Sequence, residues 1–152
     1  MTSEPEVTAA AATDPLVQST VVTTPESLAG LTVASVGLAG EELVAAVADT
    51  ATLRSRGLMG VADLGALDGM LFVWGADTHG PFSMKDTLIP LDIAWFDSDA
   101  GFVSMLTMVP CGDTDLCPTY RATAPYRYAL EMPAGAMPDL DESSVLEFTA
   151  DL

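Results

Sequence analysis

The stretch Gly80-Pro-Phe-Ser-Met-Lys-Asp-Thr-Leu-Ile-Pro-Leu-Asp-Ile-Ala-Trp-Phe-Asp97 concentrates the side chains most able to do chemistry. It holds the chain's only lysine, Lys85, with Asp86 beside it and Asp92 close by, and it follows the only histidine, His79. A lysine among carboxylates has three uses. It can hold an anionic or polar ligand, act as a base oriented by an aspartate, or pair as a cation that clasps a loop to a sheet. Negative neighbours favour the charged ammonium and oppose the lowered pKa that a reactive lysine needs. The clasp and the ligand contact therefore come ahead of catalysis, and no catalytic residue is assigned. His79 lies in a glycine-containing loop with no serine or cysteine motif to supply a nucleophile, so an exposed loop residue is expected there.

Cys111 and Cys117 can close a small loop as the structural disulfide of an exported protein. Chain entropy for so small a ring contributes at most about 2.4 kcal/mol. A redox-active pair is the alternative, but the spacing is not Cys-x-x-Cys and no cation is evident nearby to lower a thiol pKa. One histidine and two cysteines cannot complete a four-ligand zinc site. Met59, Met70, Met84, Met105 and Met108 read as core filling, and no spacing joins them to His79 or Cys111 as a soft-metal site. No metal and no cofactor are expected.

The elements that must position these groups follow from length and pattern. A chain of 152 residues, 49% hydrophobic and with a mean hydropathy of +0.36, suits one domain with a proper core. The 22 acidic and 5 basic residues leave a net charge of −17, which repels phosphate backbones and anionic headgroups and argues against nucleic-acid partners. It also suits high salt. No apolar run approaches the roughly 20 residues that span a bilayer, so no membrane insertion is expected. No Lys or Arg precedes Arg54, so the amino terminus does not read as an export signal; a chain with its signal removed and Met1 added reads the same way.

Residues 1–30, rich in Thr, Ala and Pro with four acids and no base, read as a disordered acidic leader, and 31–152 as a single domain. Thr32–Leu38 and Glu42–Ala48 read as strands, followed by a short helix capped at Asp49 or Thr50 and ended by Gly57 and Gly60. Arg54 and Arg56 fall near its carboxyl end, where they suit the helix dipole. Gly69–Trp74 is a continuous apolar run and so a strand buried on both faces, with a loop over Gly75–Gly80. Pro90 bars sheet donation, so the next strand runs Leu91–Phe96, and Asp97–Gly101 turns it into Phe102–Val109. Tyr126–Met132 alternates, with Tyr126, Tyr128, Leu130 and Met132 on one face and Arg127, Ala129 and Glu131 on the other. Ala134–Leu140 reads as a short helical turn or two and Ser144–Phe148 as a closing strand. The sum is a mainly β, α+β domain: about seven strands in a compact curled or barrel-like sheet with one short helix packed on it.

Three runs carry a family resemblance: Arg56-Gly-Leu-Met59, Gly69-Met-Leu-Phe-Val73 and Phe82-Ser-Met-Lys-Asp-Thr-Leu-Ile-Pro-Leu-Asp92. Met108-Val-Pro-Cys111, Cys117-Pro-Thr-Tyr120 and Tyr128-Ala-Leu-Glu131 with Ala134-Gly135 continue it. In order and over about Val33 to Phe148, the chain resembles the Domain of Unknown Function 192 family. The resemblance implies a compact β-rich domain, commonly exported in bacteria and archaea, with no activity or cofactor established for the class. Ser83 and Asp86 stand where the family usually has Trp and Asn.

The motifs name Arg56, Met84, Lys85, Asp86, Thr87, Asp92 and Tyr120 as candidate ligand-binding residues. For Arg56 the favoured role is a buried bridge from helix to sheet, and the alternative is an anion site shared with Lys85. The favoured reading is a non-enzymatic extracytoplasmic domain (periplasmic, cell-surface or secreted) that binds a small molecule or another protein through the Ser83–Asp92 surface. The alternatives are an enzyme using Lys85 with Asp86 or Asp92, or the cysteine pair, and a purely structural accessory domain. For location, the alternative is the cytoplasm of a salt-adapted organism.

Overall fold

Apolar runs bounded by glycine and proline become the strands of one curled sheet. The structure, a computed structural model, describes residues 28–149. The elements are β1 (Val33–Leu38), β2 (Glu41–Ala48), α1 (Ala51–Arg56), β3 (Gly69–Thr78), β4 (Phe82–Ser83), β5 (Leu91–Phe96), β6 (Phe102–Met108), β7 (Thr119–Tyr120), β8 (Tyr126–Pro133) and β9 (Glu147–Phe148). Seven strands, in the order β6-β5-β8-β3-β2-β1-β9, form a half-barrel, and β4 pairs with β7 as a separate two-stranded strap. This is the mainly β, curled architecture that the strand count and the doubly buried runs predict.

Every sheet pairing is antiparallel except β2 with β3. Parallel neighbours need a long crossover, and here it carries α1. Thr50 caps that helix by accepting from the Leu53 amide at 3.2 Å, and Gly57, at φ 50°, ends it. The Asp97 carboxylate turns the β5–β6 hairpin by accepting from Asp99 and Gly101 amides, both at 2.9 Å. The two ends of the sheet then approach each other. Phe102 N donates to Ser144 O at 3.0 Å and Leu146 N to Ala100 O at 2.8 Å, while β9 pairs with β1.

The sheet separates two apolar layers. Met70, Phe72, Ile93, Trp95 and Ala129 face one, which the α1 crossover and the loop bearing Met84 cover. Val36, Leu71, Phe96, Leu130 and Met132 face the other. Residues 1–27 of the expected leader lie outside the described residues, but Leu28 is already buried in the first layer. No helix of the described residues is long and apolar enough to cross a membrane.

Several local expectations need correction. β3 runs on through Thr78, past the apolar segment, with a register shift against β8 between Val73 and Thr78. Residues 134–140 form turns and no helix, and the closing strand is only Glu147–Phe148, preceded by a lone bridge between Val145 and Gly101. The two faces expected of β8 hold for Tyr128, Leu130 and Met132 against Ala129, and fail only at Tyr126. Ala129 and Glu131 are both buried, because β8 is a central strand between β5 and β3, covered on both faces. Tyr126 packs in the same layer as Ala129, so the alternation does not run through it. Among the methionines, Met70, Met84 and Met108 fill the core, whereas Met105 is exposed.

Candidate functional site

Lys85 is tied down by acids, but not by those its sequence neighbourhood suggests. Its Nζ donates to Asp115 Oδ1 at 3.1 Å and lies 3.9 Å from Asp113 Oδ1, both in the loop closed by the Cys111–Cys117 disulfide. The Asp115 hydrogen bond and charge, with smaller help from Asp113 and Asp86, hold the ammonium above its ordinary pKa. The lysine is therefore a charged clasp and a poor base.

Asp86 works through its backbone, at φ 58°: Gly60 N donates to its carbonyl at 2.9 Å and its own amide donates to Gly112 O at 3.3 Å. Met84 is fully buried, and its carbonyl accepts from Thr87 N at 3.0 Å and Cys111 N at 3.3 Å. Loop 84–87 is thus clamped between the α1 crossover and the disulfide loop.

Asp92 belongs to another environment altogether. It is buried, with Oδ1 accepting from the Thr107 hydroxyl at 2.6 Å and Oδ2 from Gly135 N at 2.9 Å. It stands opposite Met132 in the ladder, on the second apolar layer, away from the layer that Met84 occupies. Both oxygens are used, and the residue fixes the turn after β8. The expected Lys85–Asp92 pairing does not exist.

Tyr120 pairs with Phe82 across the strap, and its hydroxyl accepts from Val109 N at 3.3 Å. His79 is exposed, as expected, and its Nε2 is 2.8 Å from Ala122 O. The helix–sheet bridge expected of Arg56 is made by Arg54 instead. Its Nη1 donates to Val73 O at 2.9 Å and its guanidinium lies over Trp74, while Arg56 is exposed.

A cleft of about 240 Å³ opens between α1 and β4. Arg54, Ser55 and Arg56 form one wall, Phe82, Ser83 and Thr87 the other, with Phe72 and Glu131 contributed by the sheet. Phe72 and Phe82 meet edge to face, with ring centroids 5.2 Å apart. Of the candidates from the sequence, the cleft takes in Arg56 and Thr87 but not Met84, Lys85, Asp86, Asp92 or Tyr120.

The residue that sequence reasoning missed is Glu131. It sits in register with Met70 on β3 and Ile93 on β5, both core residues, and is only 4% exposed. No hydrogen bond or ion pair joins its carboxyl to another described residue, and its ladder neighbours Met70 and Ile93 are apolar. Among the described residues the fully enclosed side-chain atom left without a partner is Trp95 Nε1, not a Glu131 oxygen. Burial, with no compensating cation, pushes its pKa up to about 8. At neutral pH it is mainly the uncharged acid, able both to donate and to accept a hydrogen bond.

A carboxyl so perturbed could also shuttle protons. The other ionisable groups lining the cleft are arginines, however, which stay protonated. No second acid or base completes a proton-transfer pair there.

A larger hollow of about 630 Å³ beside the β1–β2 hairpin is lined by Glu41, Glu42, Asp139, Asp141 and Glu147. Asp141 is held below its ordinary pKa by hydrogen bonds from Ser143 and Ser144. Among the described residues, no group of three or more His, Cys, Asp or Glu side chains is placed to hold a metal ion.

The family model DUF192, described as Uncharacterized ACR, matches residues 33–144. No curated protein matches the chain. Two solved structures share its fold. A Sinorhizobium meliloti protein, provisionally described as a transcription regulator, is 24% identical with a TM-score of 0.68, over 78% of this chain and 95% of that one. A Novosphingobium aromaticivorans protein of unknown function is 24% identical with a TM-score of 0.68, over 82% of this chain and 91% of its own.

Proposed function

Since the chain belongs to the DUF192 family, whose description assigns no activity, its function has to be argued from its own cleft, and we propose that the domain binds a small polar molecule there without catalysing a reaction on it. The observation that carries this reading is Glu131, an almost wholly buried acid set among apolar ladder neighbours on the lining of the cleft. A ligand that enters the cleft can exchange a hydrogen bond with Glu131, which as an acid can both donate and accept.

Of the Ser83–Asp92 surface expected from the sequence, Ser83 and Thr87 line one wall, so the reading keeps that edge and moves its centre to β8. A chain of net charge −17 is a poor match for nucleic acid, so the provisional description of the S. meliloti protein lends no support to DNA binding here. The Cys111–Cys117 disulfide supports an extracytoplasmic location, where such bonds persist.

The test is a thermal-shift screen of metabolites and ions at low and high salt, on the native sequence, Ser55→Trp and Lys85→Ala. Ser55 is an exposed cleft-wall residue, so tryptophan there fills the cleft and leaves the core alone. A ligand at a hundred times its Kd stabilises by about 2.7 kcal/mol. We expect hits that raise the melting temperature of the native chain and of Lys85→Ala by several degrees and leave Ser55→Trp unmoved. Hits that survive Ser55→Trp but vanish in Lys85→Ala would move the site to the disulfide loop and end this reading.

A further inference from the structure

Glu131 is the one acid among the residues that line the cleft. The other ionisable groups that line it, Arg54 and Arg56, are cationic, in a chain where cations are scarce. Of the five basic residues, Lys85 is paired with Asp115 and Arg127 with Asp77 at 2.9 Å, and Arg121 donates to His79 O. Arg54 and Arg56 have no acidic partner among the described residues, and α1, which carries both, has no acid in its first turn. Arg54 spends one N–H on Val73 O and keeps the others, while Arg56 is exposed at the cleft wall. Unpaired guanidinium groups are suited to bidentate recognition of a carboxylate. The rings of Phe72 and Phe82, edge to face, line the same cleft.

Resting on the reading of the cleft as a small-ligand site, we propose that its ligand is a small carboxylate bearing an amine or hydroxyl at its far end. The carboxylate sits on Arg56 and the free edge of Arg54. The short apolar middle lies against Phe72 and Phe82, and the terminal donor reaches Glu131. A cleft of about 240 Å³ falls below the roughly 300–1,000 Å³ of sites for drug-sized ligands, which limits the ligand to a few carbons between its two ends. Each end rejects the wrong partner. An amine alone leaves the guanidinium groups unused, and a plain fatty acid leaves Glu131 facing a methyl group. A hydrogen-bonding site discriminates strongly against an analogue that lacks the bonding group.

Isothermal titration of the full chain with straight-chain ω-amino and ω-hydroxy carboxylates of three to six carbons, beside butanoate and n-butylamine, tests this. At least one two-ended probe should bind tenfold or more tighter than either one-ended probe. Arg56→Met should weaken that probe at least tenfold without changing n-butylamine, and Glu131→Gln should weaken the ω-amino members relative to butanoate. The inference is overturned if no two-ended probe shows the tenfold preference, or if butanoate or n-butylamine binds as tightly. If the screen above still yields hits that Ser55→Trp abolishes, the cleft reading survives and only the ligand class is wrong.

Discussion

Replacing Glu131 with glutamine flattens the pH dependence of the domain's stability between about 4.5 and 8. Burial raises the Glu131 carboxyl from its ordinary 4.5 to about 8 in the folded protein, so across that window the native state keeps a proton that the unfolded chain has released. Where the native state binds more protons, stability falls as pH rises, here by roughly 1.4 kcal/mol per pH unit. The contribution is complete below the unfolded value, is lost progressively up to about 8, and changes no further above it. Summed over the window, the loss is on the order of several kcal/mol, a large share of a typical domain's stability.

Glutamine keeps the shape and cannot ionise. The variant and the native chain should therefore agree near pH 5 and diverge towards pH 8, with Glu131→Gln the more stable. Urea unfolding at pH 5, 6, 7 and 8 gives the comparison, and the other carboxylates cancel because both proteins share them. Parallel curves would mean that Glu131 is ionised and satisfied at neutral pH, which removes the basis for a ligand that donates to it.

Gly69→Ala should be among the most damaging single methyl additions in the sheet. A Cβ at Gly69 runs into the Glu131 carbonyl oxygen and comes within 3.0 Å of Met132 Cγ. The obstacle is backbone, and β8 cannot yield because β5 holds its other edge. Overpacking of this kind costs about 1–3 kcal/mol, and with a rigid neighbour the upper end of that range applies.

Gly112→Ala is the control, since a Cβ there meets nothing within 4 Å and its φ is not positive. Denaturant midpoints for the two variants check the prediction, and a Gly69→Ala protein as stable as Gly112→Ala would contradict it. The same close approach of β3 and β8 sets the backbone from which Glu131 projects. Gly69→Ala should therefore also weaken binding of any hit from the screen.

What was legible in the sequence is what short-range chemistry determines. Pro90 marks the start of β5 because proline cannot donate, the Asp97–Gly101 turn is written by a carboxylate that caps its own loop, and Thr50 caps α1 from three residues away. The family resemblance and the curled sheet followed from such pieces. Long-range partners were not legible. Lys85 finds its acid thirty residues away in the disulfide loop, while the nearer Asp92 faces the other layer of the sheet.

The burial of Glu131 was not legible for a similar reason. The alternation of Tyr126–Met132 assigns side chains to faces but does not say what covers them; the placing of β8 between β3 and β5 does. Its presence in the Tyr128–Glu131 motif, as an acid inside an otherwise uncharged run after Arg127, was the signal available. Arg54 and Arg56 illustrate the limit on a smaller scale. They lie two residues apart on one helical turn, and spacing alone does not say which guanidinium reaches the sheet.

The most direct test of the ligand-binding cleft is to map a screened hit onto the chain by amide chemical-shift perturbation during a titration. We predict that the largest shifts fall on Gly57, Phe72, Phe82, Ser83, Thr87 and Glu131, which share the cleft. Shifts confined to Cys111–Cys117 and Lys85, or to the acidic hollow around Glu41 and Asp139, would contradict it.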